Sequence, residues 1–283
     1  MKSLSYFASL VFAVTSLACN AGVDNDIPSC YTANKIPISP PTSRLEVFMM
    51  IDQTTQFDQN LKESIFQNFG NLLGTGNSFV ISSFSSYAQG RYLEVQSAGV
   101  FEGTVAEKER NDISMNAMRK FDTCLVQQVN YGRKVAGEAM QKALSGSASD
   151  IAKSDIIGSL KELSKRVQAS KAKDKIVFLA SDMLENSTIT SFYGNNSVRA
   201  IDPAAEMKKV DSAKMIGDFG AARVFVLGAG LMQEKPGNTS QKSGIYRDPK
   251  TVAALREFWD KYFTASNAKL IEFGAPALLT PVR

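Results

Sequence analysis

Three short apolar runs constrain this chain more than any other feature. They are residues 45–51 (LEVFMMI), 175–180 (KIVFLA) and 223–227 (RVFVL). A strand with one wet face alternates apolar and polar residues. A run that is apolar at successive positions has to be covered on both faces, as in a parallel sheet sandwiched between helices. The stretches between the runs supply those helices. Phe57, Leu61, Ile65, Phe69 and Leu73 recur every four residues, and Ile156, Leu160, Leu163 and Val167 make a second stripe. Each spacing lays one apolar face along a helix. Buried strands alternating with amphipathic helices predict an α/β fold. It is doubly wound, with a mainly parallel central sheet and helices on both faces.

The remaining elements fit around that frame. Thr55 followed by Asp58 reads as a capping box for the first helix, with Gly70 and Gly74 as stops. Residues 77–84 and 91–100 alternate well enough to be a hairpin or neighbouring strands. The pattern over 105–167 is helical, with breaks expected at Tyr131-Gly132 and at SGSASD, residues 145–150. Helices over 204–219 and 251–263 and a strand over 268–273 complete the chain. Residues 45–283 therefore read as one domain with a helical insertion around 105–170. Residues 22–44, with Pro28, Pro37, Pro40 and Pro41, read as an extended leader.

The first residues read as an export signal over 1–21. Lys2 is followed by an apolar stretch with small residues, closing on Ser16-Leu17-Ala18. That stretch is too short to favour a membrane span. Leu17-Ala18-Cys19 is close to a lipoprotein box, although Ser16 stands where the box has leucine. Two outcomes follow: release into the periplasm or medium, or a signal ending at 18 and a lipid on Cys19, the one membrane contact this reading allows. With Cys19 set aside, two of the three cysteines remain. Export makes a Cys30–Cys124 disulfide the expectation over two buried thiols. Its loop would contribute about 4–5 kcal/mol in the chain-entropy model.

Composition excludes several chemistries. There is no histidine, so Ser-His-Asp triads, Cys-His pairs and histidine-bearing zinc sites are impossible within this chain, and three cysteines cannot make a four-cysteine zinc site. The net charge of +4 is scattered, and the densest basic cluster, KAKDK at 171–175, carries its own aspartate. Nucleic-acid binding is not expected.

In a doubly wound sheet, ligands bind beyond the carboxyl ends of the strands, where strand order reverses. Asp52, Ser181-Asp182 and Gly228 follow the three apolar runs. At these residues the chain resembles a von Willebrand factor type A (VWA) domain. Asp52-Gln53-Thr54-Thr55-Gln56 is similar to that family's D-x-S/T-x-S metal motif. KIVFLASDMLEN, residues 175–186, resembles its later strand ending in aspartate. YGRKVAGEAMQKAL, residues 131–144, lies where the family has a glycine-rich turn opening a helix. The likeness runs from about residue 45 to 273. DQTT and SDMLENS also resemble a set of exported bacterial VWA-like proteins, which brings no activity with it.

The resemblance implies a VWA/Rossmann-like fold and a divalent cation, Mg2+ or similar, in the crevice. Asp52, Thr54 and Asp182 match ligand positions. Gln56 stands where a serine is usual, and the 128–132 loop has no threonine, leaving Asn130 as its oxygen donor. The implied site is degenerate. The competing expectation is a metal-free crevice, with Asp52 and Asp182 accepting hydrogen bonds at helix starts.

Other features carry less. Glu185, three residues after Asp182, reads as a loop or helix-start acid, or as the base of a hydrolase. Gly228-Ala229-Gly230 lacks the third glycine of a dinucleotide loop, Gln233 standing there, and Ser170 with Lys173 has only the spacing of an acylase pair. Phe258, Trp259, Tyr262 and Phe263 read as a core stripe before an exposed patch. Phe192 and Tyr193, in the polar segment 187–199, are candidates for a partner-binding surface.

The functional expectation is an exported, non-enzymatic, protein-binding module acting at the carboxyl edge of its sheet. The alternatives are a metal-assisted hydrolase using Asp52, Asp182 and Glu185, and a structural subunit of a cell-envelope assembly.

Overall fold

The computed structural model describes residues 25–85, 93–145, 154–194, 197–231 and 248–283. The export signal with Cys19 and most of the SGSASD stretch lie outside them. The elements are α1 (Cys30–Ala33), β1 (Leu45–Asp52), α2 (Gln59–Leu72), β2 (Asn77–Phe84), β3 (Glu94–Val100), α3 (Glu107–Arg110) and α4 (Met115–Ser145). After these come α5 (Ile156–Ala169), β4 (Asp174–Ala180), β5 (Tyr193–Gly194), β6 (Ser197–Val198), α6 (Pro203–Ser212), β7 (Ala222–Leu227), α7 (Pro249–Ala265) and β8 (Ala268–Gly274).

Six strands form the central sheet in the order β3-β2-β1-β4-β7-β8, and β5 pairs with β6 in a separate ribbon. Within the central sheet only β3 runs antiparallel. The three apolar runs are the neighbours β1, β4 and β7, as continuous hydrophobicity requires. Alternation along each strand serves two cores. Val47, Met49, Ile51, Ile176 and Phe178 pack with the buried residues of α2 and α4. Phe48, Met50, Val177 and Leu179 pack with those of α5, α6 and α7. Helices on both faces of a mainly parallel sheet make the doubly wound fold expected from the pattern. Phe258, Trp259, Tyr262 and Phe263 are fully buried, and the Trp259 indole N–H donates to the Met183 carbonyl at 2.9 Å. Burying each such side chain contributes about 1.5–3 kcal/mol.

Several local expectations are corrected. Helix α2 is capped by Asp58, which accepts from the Leu61 N–H, so Thr55 is free for another role. The break at Tyr131-Gly132 does not occur. Helix α4 runs unbroken for 31 residues. Gly132 is there for closeness: a Cβ on it would lie 2.4 Å from Phe101 Cε1 and 2.5 Å from Ile27 Cδ1. Helix α6 ends at Ser212, before a left-handed Lys214 (φ 57°).

The leader is not simply extended. From Asn25 it packs onto the β3 edge and α4, and Ile27, Cys30, Tyr31 and Ile36 are buried. Ser29 caps α1, and the buried Glu102 carboxylate accepts from Ser29 Oγ (2.6 Å) and the Cys30 N–H (2.6 Å). The Cys30–Cys124 disulfide is present, with Cα atoms 5.8 Å apart, and ties this segment to α4 across 94 positions.

Candidate functional site

Strand order reverses between β1 and β4, so the crevice beyond their carboxyl ends is the expected ligand position. Asp52 ends β1 there and is fully buried. A bare carboxylate would not survive that burial. Instead, its Oδ1 accepts from the Thr54 N–H (2.9 Å) and the Thr54 hydroxyl (2.6 Å). Its Oδ2 accepts from the Ser181 hydroxyl (2.8 Å) and the Ser154 hydroxyl (3.2 Å). All four acceptor directions are filled by the protein. Burial raises the Asp52 pKa above the ordinary carboxylate value, and the bonds from Thr54, Ser181 and Ser154 pull part of the way back.

The end of β4 is laced to the same place. The Asp182 N–H donates to Thr55 Oγ1 (3.1 Å), and Asp182 Oδ1 accepts from the Leu184 N–H (2.8 Å). Met183 takes a left-handed φ of 60°, and its N–H donates to Ser181 Oγ at 3.0 Å. From the end of β7, the Gly230 N–H donates to the Asp182 carbonyl (2.8 Å). Gly228 has a φ of 104°, and a Cβ there would stand 2.7 Å from Phe57 Cε1. This glycine turns the chain tightly against the crevice wall.

Glu185 is fully buried at the first turn of α5, where its Oε2 accepts from the Ile157 N–H at 3.0 Å. Among the described residues its Oε1 completes no hydrogen bond, although the Ser187 hydroxyl and the Ile156 amide stand near enough to favour the charged form. Burial, with Asp155 adding repulsion, outweighs those groups and lifts its pKa to about 8. Asp155 caps α5 through the Gly158 N–H (2.8 Å), and burial raises its pKa too.

Of the residues singled out in the sequence, Asp52 and Thr54 touch directly, and Asp182 joins them through Thr55 and its neighbour Ser181. Gln56 is exposed; the preceding residue, Thr55, makes the link between the β1 and β4 ends. Asn130 is exposed in the middle of α4, not on a loop. The loop that enters the crevice from the helical segment is the one before α5, and its side chain is Ser154. A Ser-Asp pair directly ahead of the Ile156 stripe is a helix-start signal, and it could have found Ser154. Phe192 is not surface: it is fully buried, edge-to-face on Phe258 with centroids 5.1 Å apart. Tyr193 remains exposed, at 37%. Among the described residues, no group of three or more acidic or cysteine side chains is placed to hold a metal, and no helix is long and apolar enough to cross a membrane.

No family model matches the sequence, and no curated protein does. Solved structures resemble the chain weakly, among them a proximal thread matrix protein of the mussel byssus, at 12% identity over 67% of this chain and 39% of its own, with a TM-score of 0.32. The PilB minor pilin of Streptococcus sanguinis shares 12% identity over 84% of this chain and 58% of its own, with a TM-score of 0.41. An aerotolerance-related membrane protein of Bacteroides fragilis shares 13% over 81% of this chain and 91% of its own, with a TM-score of 0.35. A type V pili tip protein of Porphyromonas gingivalis shares 16% over 52% of this chain and 21% of its own, with a TM-score of 0.30. The chain thus spans about a fifth of the tip protein and rather more than half of the minor pilin.

Proposed function

We propose that this chain is an exported, VWA-like protein-binding module that meets its partner at the carboxyl edge of the sheet and is not an enzyme. The observation that carries this reading is Asp52. A carboxylate with all four acceptor directions filled by Thr54, Ser154 and Ser181 is neither a free base nor a nucleophile. Glu185, the base of a hydrolase reading, is fully buried against the first turn of α5, where its Oε2 accepts from the Ile157 N–H. Gln53, half-buried, and Gln56, exposed, stand at the rim. Amide groups of that kind hydrogen-bond readily across a protein interface. The Cys30–Cys124 disulfide supports an oxidising, extracytoplasmic compartment.

A second reading keeps a divalent cation. The donor types favour it, since Asp52, Thr54, Asp182 and Ser154 bring only hard oxygens from three loops. A cation there would compete with the hydroxyl bonds that already satisfy Asp52. Once bound, it would supply an open position for an acidic side chain of the partner.

Thermal melts separate the readings. The expected midpoint is the same in EDTA and in millimolar magnesium, calcium or manganese. A rise of several degrees in the wild type, absent from Asp52→Ala and Asp182→Ala, would establish the cation instead. For the partner, the wild type and a Gln56→Arg rim variant serve as baits for envelope extracts. Loss of a specifically retained protein from the variant is expected, and equal retention by both would sink the reading.

A further inference from the structure

The segment from Asn25 to Ile36 behaves as a ligand of its own domain. It lies along the outer edge of β3, the antiparallel edge strand of the sheet. The Asp26 N–H donates to the Ala98 carbonyl (2.9 Å), and Asp26 Oδ2 accepts from the Ala98 N–H (3.2 Å) and the Ser97 hydroxyl (2.6 Å). Asn25 Oδ1 accepts from the Val100 N–H at 3.1 Å. The strap thus answers outward-facing groups of an edge that would otherwise template pairing with another chain.

Beside it, Ile27 fills a socket made by two absent side chains. A Cβ on Gly99 or on Gly132 would each come within 2.5 Å of Ile27 Cδ1. The socket is therefore shaped by β3 and α4 and fits the strap's own isoleucine. Three residues on, the disulfide fastens the strap to α4 through Cys124, which is half-buried where Cys30 is fully buried. The connection back to β1, residues 37–44, is largely exposed and holds Pro37, Pro40 and Pro41. Eight extended residues reach about 26 Å, and an exposed, stiff connector of that kind is where segments exchange between copies.

We propose that the β3 edge and its two-glycine socket form an acceptor site for the Asn25–Ile36 strap of a second copy of this chain, with the Cys30–Cys124 disulfide as the latch that selects the donor. The exchange needs a thiol and no net oxidation. A small thiolate attacks the Cys124 sulfur, the S–S bond breaks, and Cys30 leaves as a thiolate and takes a proton from water. A second copy opened in the same way presents its own Cys30 thiolate; its strap seats, that thiolate attacks the Cys124 sulfur of the mixed disulfide, and the small thiol leaves as its thiolate. Each Cys124 ends as it began, in one disulfide with a Cys30, and the small thiolate is recovered.

The test mixes two variants in a Cys19→Ser background, Cys30→Ser and Cys124→Ser, in a glutathione buffer holding both its thiol and disulfide forms. Neither can close the latch within itself. The expected result is a covalent heterodimer whose only cross-link is Cys30 of one variant to Cys124 of the other. Putting Ile27→Asp into the Cys124→Ser copy should abolish it. No heterodimer, or one that forms equally well with Ile27→Asp, overturns the proposal. Because either variant could fold poorly, hydrogen exchange on the unmutated chain gives a second reading. With a dithiol present, the Ala98 and Val100 amides should exchange more than about tenfold faster while β1 amides do not change. Unchanged protection at Ala98 and Val100 also overturns it.

Discussion

The crevice and the strap hold buried polar groups by opposite means. At the crevice, Asp52 is served by Thr54, Ser154 and Ser181, which stand just past β1, just before α5 and just past β4. Two of those segments, the ends of β1 and β4, cannot part without unzipping the β1–β4 pairing in register from Leu45↔Asp174 to Ile51↔Ala180. At the strap, Glu102 gathers the Ser29 hydroxyl and the Cys30 N–H, and Ile27 seats between glycines. None of that is part of the sheet's parallel core, and a covalent bond stands in for cooperativity. One region should open only when the whole domain does, and the other locally.

The largest expected effect comes from Asp52→Ala, which takes the shared acceptor away from the Thr54, Ser154 and Ser181 hydroxyls. A loss of about 3–5 kcal/mol is expected, read as an equal drop from every probe in denaturant unfolding. A loss confined to one probe would end the claim that the crevice and the fold open together.

Next is Ile27→Ala, with a loss of about 2–4 kcal/mol from the vacated socket. Here hydrogen exchange at Ala98 and Val100 should rise before that of β1. Uniform acceleration across the sheet would mean the strap is as cooperative as the crevice.

Glu185→Gln sharpens the comparison through pH. Burial lifts this carboxyl from 4.5 to about 8. It is protonated in the fold and ionised in the unfolded chain between those values. Its stabilising contribution is therefore complete below about 4.5, declines as pH rises through the window, and is gone above about 8. Melts of the wild type should show that falling limb, and Glu185→Gln should flatten it. An equally steep limb in the variant would assign the slope to Asp52 or Asp155, whose pKa values burial also raises.

The smallest effects belong to Asn130→Ala and Gln56→Ala, both exposed. Each should fall within about 0.5 kcal/mol of wild type. A larger loss at Asn130 would place it in contacts the crevice lacks.

Two buried glutamates show why burial alone does not set charge. Burial also pushes Glu206 up, but hydrogen bonds from Thr190, Lys209 and Arg199 outweigh it, and its pKa falls below the ordinary value. Glu185 accepts from the Ile157 amide, burial and the nearby Asp155 outweigh that bond, and its pKa rises. The residue type is the same, and the neighbours are brought by folding.

That distinction divides what was legible beforehand. Hydrophobic periodicity belongs to single segments, so the three core strands, the α2 and α5 stripes and the aromatic face of α7 could be read directly. Position at a strand end is local too, which is why Asp52 and Asp182 were found. Reading Cys19 as part of an export signal left cysteine arithmetic with one pairing, Cys30 with Cys124. Gly132 looked like a breaker because its sequence neighbours do not reveal Ile27 and Phe101, which occupy the space a Cβ would take. Phe192 looked like surface because its segment is polar, yet Phe258 from α7 covers it. Ser154 escaped notice because its importance comes from Asp52, 102 positions away.

The sequence by itself determined which segments must be buried and which strand ends carry carboxylates, and it narrowed the cysteine pairing to one candidate, because periodicity and composition act on segments. The tertiary structure alone decided that Asp52 is closed by hydroxyls, that Glu185 titrates near 8 and that the leader plugs the β3 edge. Those outcomes depend on which distant side chains share a few ångströms of dry space, and that proximity is not written in any one segment.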